Sequence, residues 1–191
     1  MRKIKQVIFL LCFLTFLILN IAPIFIFSQV KNLVDGIIAE GEYNNVFKID
    51  QETIIIYSEI LGDIVYFGLE AKVKGWVSIG FNPTNAMKDA DMIICSFQNN
   101  EPKIYDQFSS GIFGPHEDDI KLGGTFDILA FAGKTDKDKN IFEFSRKLNT
   151  GDSKDKIIEK GKEIKLIWAY SNSMDIKSKH SKRGTINIII K

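Results

Sequence analysis

From residue 33 onward the chain repeats with a period of two rather than 3.6. The segments "TIIIYSEI", "DIVYFGLEAKV", "WVSIGF", "DMIICSF", "PKIYDQF", "TFDILAFAG", "NIFEFSRKL", "EIKLIWAYS" and "GTINIII" are rich in Ile, Val, Phe and Tyr. Turn signals such as "LGD", "NPTN", "QNNE", "GPHEDD" and "KTDKDKN" separate them. Many short strands at regular spacing predict an all-β sandwich. Alternation is clearest in "NIFEFSRKL", where Phe142, Phe144, Arg146 and Leu148 share one face. Only "SKDKIIEKGK" has the composition for a helical turn. With no repeat and no low-complexity linker, the pattern predicts one β-sandwich domain from about residue 30 to residue 191.

The first residues belong to a different grammar. Arg2, Lys3 and Lys5 precede an apolar run from Val7, which Asn20 and Pro23 interrupt before Ser28. Residues 1–28 therefore read as an export segment, either a cleaved signal peptide or a retained N-terminal membrane anchor. Ile26 at the −3 position is bulky for a cleavage site. This places the domain outside the cytoplasm, secreted or held at the membrane.

Removing that segment changes the charge balance. The whole chain is formally +1, but three of its 25 basic residues lie in the segment, which leaves 22 against 24 acidic side chains and a formal −2. No basic stripe remains, so nucleic acid is not an expected partner. Cys12 goes with the segment as well, which leaves Cys95 alone and without an intramolecular disulfide partner.

The two histidines, His116 and His180, are too few for a zinc hydrolase built on several His or Cys ligands. HExxH, CxxC, P-loop, GxGxxG and G-x-S-x-G patterns are absent. Nothing here reads as a self-contained enzyme.

Several phrases in order resemble one family: "DGIIAEGEY", "GWVSIGFNP", "MKDADMII", "IYDQFSSG", "EFSRKLNTGDSKD", "IWAYS" and "HSKRG". Together they look like a DOMON domain of the exported bacterial kind. The resemblance extends to the haem domain of cellobiose dehydrogenase and to the DOMON domain of dopamine β-hydroxylase-like monooxygenases. It implies an immunoglobulin-like β-sandwich of about ten or eleven strands.

Two types of site follow from the resemblance. In cytochrome members a b-type haem sits at one end of the sandwich, held by a methionine and a histidine that match Met87 and His180. A soft thioether opposite a neutral imidazole suits low-spin iron and single-electron transfer. That type often has glycine two residues after the methionine, where this chain has Asp89. In monooxygenase members a small cation site matches Asp91, the carbonyls of Met92 and Gln107, and Asp119. Oxygen donors of this kind suit calcium.

The resemblance implies an exported haem b domain passing electrons to a redox partner protein or membrane cytochrome. The alternative is a haem-free module, for carbohydrate or for interaction, stabilised by a cation. Trp76 and Trp168 read as core residues. Phe81 and Phe108 read as lining one end of the sandwich, and His116 as a turn residue or an alternative iron ligand. Arg146, in inward phase, needs a carboxylate partner, with Asp152 or Asp155 nearest in sequence.

Overall fold

A computed structural model describes residues 33–191 of the chain. The export segment expected at residues 1–28 lies outside these residues. Among the described residues, eleven strands account for nearly all regular structure: β1 (Asn45–Ile49), β2 (Ile54–Leu61), β3 (Ile64–Ala71), β4 (Val77–Phe81), β5 (Asp91–Gln98), β6 (Glu101–Ser109), β7 (His116–Asp118), β8 (Ala130–Asp136), β9 (Lys139–Lys147), β10 (Glu163–Tyr170) and β11 (Lys182–Ile189). A short 3₁₀ turn, Asp119–Leu122, follows β7. Among the described residues no helix is long and apolar enough to cross a membrane.

The strands form two sheets, ordered β1-β2-β3-β9-β8 and β11-β10-β4-β5-β6-β7, with every pairing antiparallel. Their inner faces enclose the core, in which Phe67 packs on Phe81 and Phe144 at 5.4 and 5.3 Å between ring centroids. This is the expected all-β sandwich.

Continuous apolar runs mark strands buried on both faces. All of β4 and all but the last residue of β5 are buried. Val77, Ile79, Phe81, Ile93, Cys95 and Phe97 point into the core. The alternate residues, Ser78, Met92 and Ile94, face outward beneath loops. The outer face of the six-stranded sheet is therefore a second interior.

Nine of the strands match the predicted segments, with one shifted. "TFDILAFAG" becomes a strand only from Ala130, because carboxylates capture the backbone before it. The Thr125 amide donates to Asp152 and the Asp127 amide to Asp106, at 2.5 and 2.8 Å. The helical turn expected in "SKDKIIEKGK" does not form; residues 153–162 are irregular, and the Lys156 amide is spent on Asp91.

The five-stranded sheet is covered by residues 33–43, fixed by one buried carboxylate. Glu143 on β9 accepts the amides of Asp35, Gly36 and Ile37 at 3.1, 2.7 and 3.2 Å and the Tyr43 hydroxyl at 2.7 Å. Gly68, opposite Glu143 on β3, leaves room for Ile38; a Cβ there would lie 2.9 Å from the Ile38 side chain. Glu143→Ala strands three amides and a hydroxyl, and urea unfolding is expected to show a loss of about 2–3 kcal/mol. Limited proteolysis should then cut within residues 33–43 first.

Candidate functional site

Three loops wall a cavity of about 740 Å³ on the outer face of the six-stranded sheet. Its floor is Ser78, Met92, Ile94, Ile167 and Ala169. Met87 enters from the loop between β4 and β5, and His180 from the loop between β10 and β11. The two residues that sequence reasoning paired thus share one cavity. Its size falls within the range of about 300–1,000 Å³ typical of ligand sites.

The Met87 loop is tightly specified. The Thr84 amide donates to the Lys88 carbonyl, and the Lys88 amide returns to Asn85, both at 2.8 Å. The Met87 amide donates to the Ile112 carbonyl at 3.2 Å and the Asp89 amide to Ser109 at 2.8 Å, which ties this loop to the one before β7. Asp89 has a φ of +60°, the left-handed region where glycine is at ease and aspartate is tolerated. Its carboxylate accepts the Thr84 hydroxyl at 2.6 Å. Aspartate therefore does here what glycine would do.

The His180 loop is held by Gly75 and Trp76. A Cβ on Gly75 would lie 2.0 Å from the Ser173 carbonyl oxygen, so only glycine admits the loop backbone. The Trp76 amide donates to Ser173 at 3.2 Å, and its indole N–H reaches the Ser178 hydroxyl at 3.2 Å. Trp76 is buried as expected, but outside the main core: it holds the loop that carries a candidate ligand. Trp168 does join the core, lying against Gly184 on β11.

Electrostatics at the cavity favour neutral imidazole. Burial first, then Arg183 and Lys179, lower the His180 pKa. Arg183 approaches Nε2 at 3.3 Å, and because a guanidinium can only donate, Nε2 is the acceptor. Lys177, Lys179 and Arg183 line the cavity with exposed basic side chains that suit the anionic edge of a ligand.

His116 is not the turn residue expected from "GPHEDD". It begins β7, half-buried, and lines the same cavity. Its Nδ1 lies 2.6 Å from Gln107 Oε1, and Gln107 Nε2 donates to Asp118 at 2.7 Å. Burial lowers the His116 pKa.

Behind the sheet lies a second constellation. Asp91, Asp106 and Asp155 offer carboxylate oxygens that all lie within 4.8 Å of one another. Arg146 crosses from β9, only 1% exposed, and donates to Asp91 at 2.6 Å; its ion pair with Asp155 is 3.4 Å long. The expected partner Asp155 is correct. Asp152 is not a partner, and the stronger contact comes from Asp91 on the opposite sheet. Phe81, fully buried in the core, lies under the guanidinium at 5.8 Å, while Phe108 lies beneath Lys154 and Lys156.

One guanidinium does not satisfy this cluster. Asp91 Oδ1, Asp106 Oδ1 and both oxygens of Asp119 are buried with no hydrogen-bond partner among the described residues. Burial, reinforced by neighbouring carboxylates, pushes Asp119 up to about 8, and burial likewise pushes Asp106 to about 7 and Asp155 to about 6. Asp119, in a run that reads as a solvated turn, is 1% exposed. Asp91 and Asp119 were anticipated as cation donors and Asp155 as a partner of Arg146; Asp106 was not anticipated. Asp106 had a signal in "KIYDQF", where Ile104, Asp106 and Phe108 keep one phase. Met92 and Gln107 pair directly across β5 and β6, and their side chains serve the outer face.

The two constellations are back to back. Asp91 faces the cluster and Met92 the cavity; Asp106 faces the cluster and Gln107 the His116 side. Asp118 joins the Gln107 link, and Asp119 the cluster.

Comparison with known proteins agrees with this architecture. The family profile of the DOMON domain matches residues 50–171, well over half the chain. The chain belongs to the DOMON domain family. It is 29% identical over 109 residues to human DBH-like monooxygenase protein 1 and 28% identical to its mouse counterpart. That match takes in 57% of this DOMON chain but only 17% of the length of either relative. Among solved structures, the cytochrome b domain of Coprinopsis cinerea pyranose dehydrogenase superposes with a TM-score of 0.56 at 14% identity, over 75% of this chain and 80% of that one. The cytochrome domain of Myriococcum thermophilum cellobiose dehydrogenase gives 0.50 at 11% identity, over 77% and 88%. The likeness to these structures is one of fold.

The cluster makes a pH prediction. Its carboxyls keep protons in the folded state that the unfolded chain releases near pH 4, so the folded state binds more protons between about pH 4 and pH 8. Stability must therefore fall as pH rises through that window. In chelator, the melting temperature is expected to drop steadily from pH 5 to pH 8. Asp119→Asn is expected to flatten the slope and raise the pH 7.5 value by about 2–4 °C, the shift from roughly 1 kcal/mol in a domain of this size.

Proposed function

We propose that this DOMON domain holds haem b in the outer cavity, with Met87 and His180 as axial ligands, and passes single electrons to a redox partner. The observation that carries the reading is that these two side chains, from loops far apart in sequence, line one cavity. The residues fit the group. A thioether and a neutral imidazole are donors for low-spin iron, the floor is largely apolar, and the lining carries basic side chains that would pair with propionates. When bound, haem supplies a one-electron iron couple, and a thioether ligand raises its potential.

The chain's own residues do the rest. Trp76 and Gly75 hold the His180 loop, Asp89 and Ile112 hold the Met87 loop, and Met92, Ile94 and Ile167 exclude water from the floor. With Met87 and His180 both given to the iron, the site would serve electron relay rather than substrate oxidation. The fold likeness to two cytochrome domains supports the reading. An exported domain meeting an extracytoplasmic oxidoreductase or membrane cytochrome completes it. A sugar-binding module is less well supported, because Trp76 and Trp168 line the cavity only 5% and 9% exposed, which leaves Phe113 as its exposed aromatic.

A hard cation belongs to the same proposal, in the carboxylate cluster on the inner side of the sheet. Unpartnered buried oxygens on Asp91, Asp106 and Asp119 are donors suited to calcium. The anticipated carbonyls of Met92 and Gln107 remain part of this donor set as proposed, with Asp106 and Asp155 added.

Purified residues 29–191, mixed with haem, are expected to show a Soret band and sharp reduced α and β bands at one haem per chain. His180→Ala is expected to weaken haem binding by more than ~100-fold, beyond what loss of a residue that only supports a ligand does at a metal site. Met87→Ala should abolish the methionine-to-iron charge-transfer band in the near infrared. A protein that folds but stays colourless refutes the haem assignment. For the cation, millimolar calcium is expected to raise the melting temperature at pH 7.5 in wild type and leave Asp119→Asn unmoved. An equal response in both would remove the cluster from consideration.

A further inference from the structure

Both histidines of the chain line the cavity, and the reading above uses one of them. We propose that His116 is a second imidazole donor to the haem iron, able to take the place of Met87 opposite His180. The inference rests on the haem assignment and adds a ligand to it.

Hydrogen bonding fixes the state of the His116 ring. The Asp118 carboxylate, which receives Lys121 at 3.0 Å, can only accept, so the Gln107 amide must turn its NH₂ toward it. Gln107 Oε1 then faces His116 Nδ1 at 2.6 Å and can only accept as well. The proton therefore sits on Nδ1, and Nε2 carries the free lone pair. A donor ring whose other nitrogen is tied to an amide and a carboxylate is the usual support of a metal-bound histidine, because it fixes the tautomer and orients the ring. A solvated turn histidine requires no such relay.

Placement also pairs His116 with Met87. The 83–90 loop and the segment before β7 are joined by three backbone bonds: Met87 to Ile112, Asp89 to Ser109 and Ser109 to Ala90. Met87 and His116 thus come from adjoining segments on one flank, while His180 comes from a loop anchored separately to Trp76. Two donors on joined segments and a third on a separate loop would let the iron exchange Met87 for His116 while keeping His180. Thioether is the softer donor and favours ferrous iron; imidazole suits the ferric state better. Such an exchange would move no electrons itself, but it would make the choice between Met87 and His116 depend on the oxidation state.

The test is the spin state of haem-loaded variants, with folding checked by circular dichroism. Met87→Ala is expected to stay six-coordinate and low-spin, with a lower midpoint potential than wild type. Met87→Ala/His116→Ala is expected to become high-spin. Gln107→Leu in the Met87→Ala background should weaken haem binding by about 10–100-fold. Nitrogen-15 NMR of the haem-free protein should show His116 protonated on Nδ1. A high-spin Met87→Ala protein that His116→Ala does not change overturns this proposal while leaving haem binding intact. A wild-type protein that takes up no haem overturns both.

Discussion

One positive charge is set against four carboxylates inside this sandwich, and much of the structure follows from that imbalance. Arg146 reaches from the five-stranded sheet to Asp91 on the six-stranded one, and the pair is essentially without solvent. A buried pair of this kind contributes little net stability, but losing one partner leaves an uncompensated charge. Asp91 also accepts the Lys156 amide, Asp106 accepts the Asp127 amide, and Asp152 accepts the Thr125 amide. The long loops before β8 and β10 are thus shaped by carboxylates as well as by their own apolar residues, Ile128 and Ile158, which pack on the core. The remaining negative charge has two remedies, a proton or a cation.

The same strand that meets Arg146 also floors the outer cavity. Asp91 must point inward, so Met92 must point outward, and the Met87 loop ends one residue before Asp91. The cavity is then completed by glycine and by exceptions to glycine. Gly75 lets the His180 loop lie on the sheet, while Asp89 takes a left-handed conformation with its own carboxylate bonded back to Thr84.

Most of the fold was legible because burial on a pleated sheet writes a period of two, or a continuous apolar run, into the sequence. β1 and β7 were missed for the same reason. β1 is an edge strand with polar positions, and β7 is His-Glu-Asp, which carries no apolar pattern. Met87, His180, Asp91 and Asp119 were legible only through the order of phrases resembling a family. His116 and Asp106 depended on register: His116 faces Ser109, and Asp106 faces Ile93 across the ladder. Arg146 announced a buried charge by its phase, but its main partner lies on the other sheet, where sequence proximity gives no guide.

The back-to-back placement has an evolutionary consequence. A sheet is one residue thick, and in β5, β6 and the β7 junction neighbouring residues serve opposite sides: Asp91 and Met92, Asp106 and Gln107, Asp119 and Asp118. Shifting any of these strands by one position would turn a carboxylate into the cavity and a cavity residue toward Arg146. An insertion or deletion here cannot damage one site and spare the other. Descendants of this chain can change either site by substitution, but its length through these strands is inherited as a single unit.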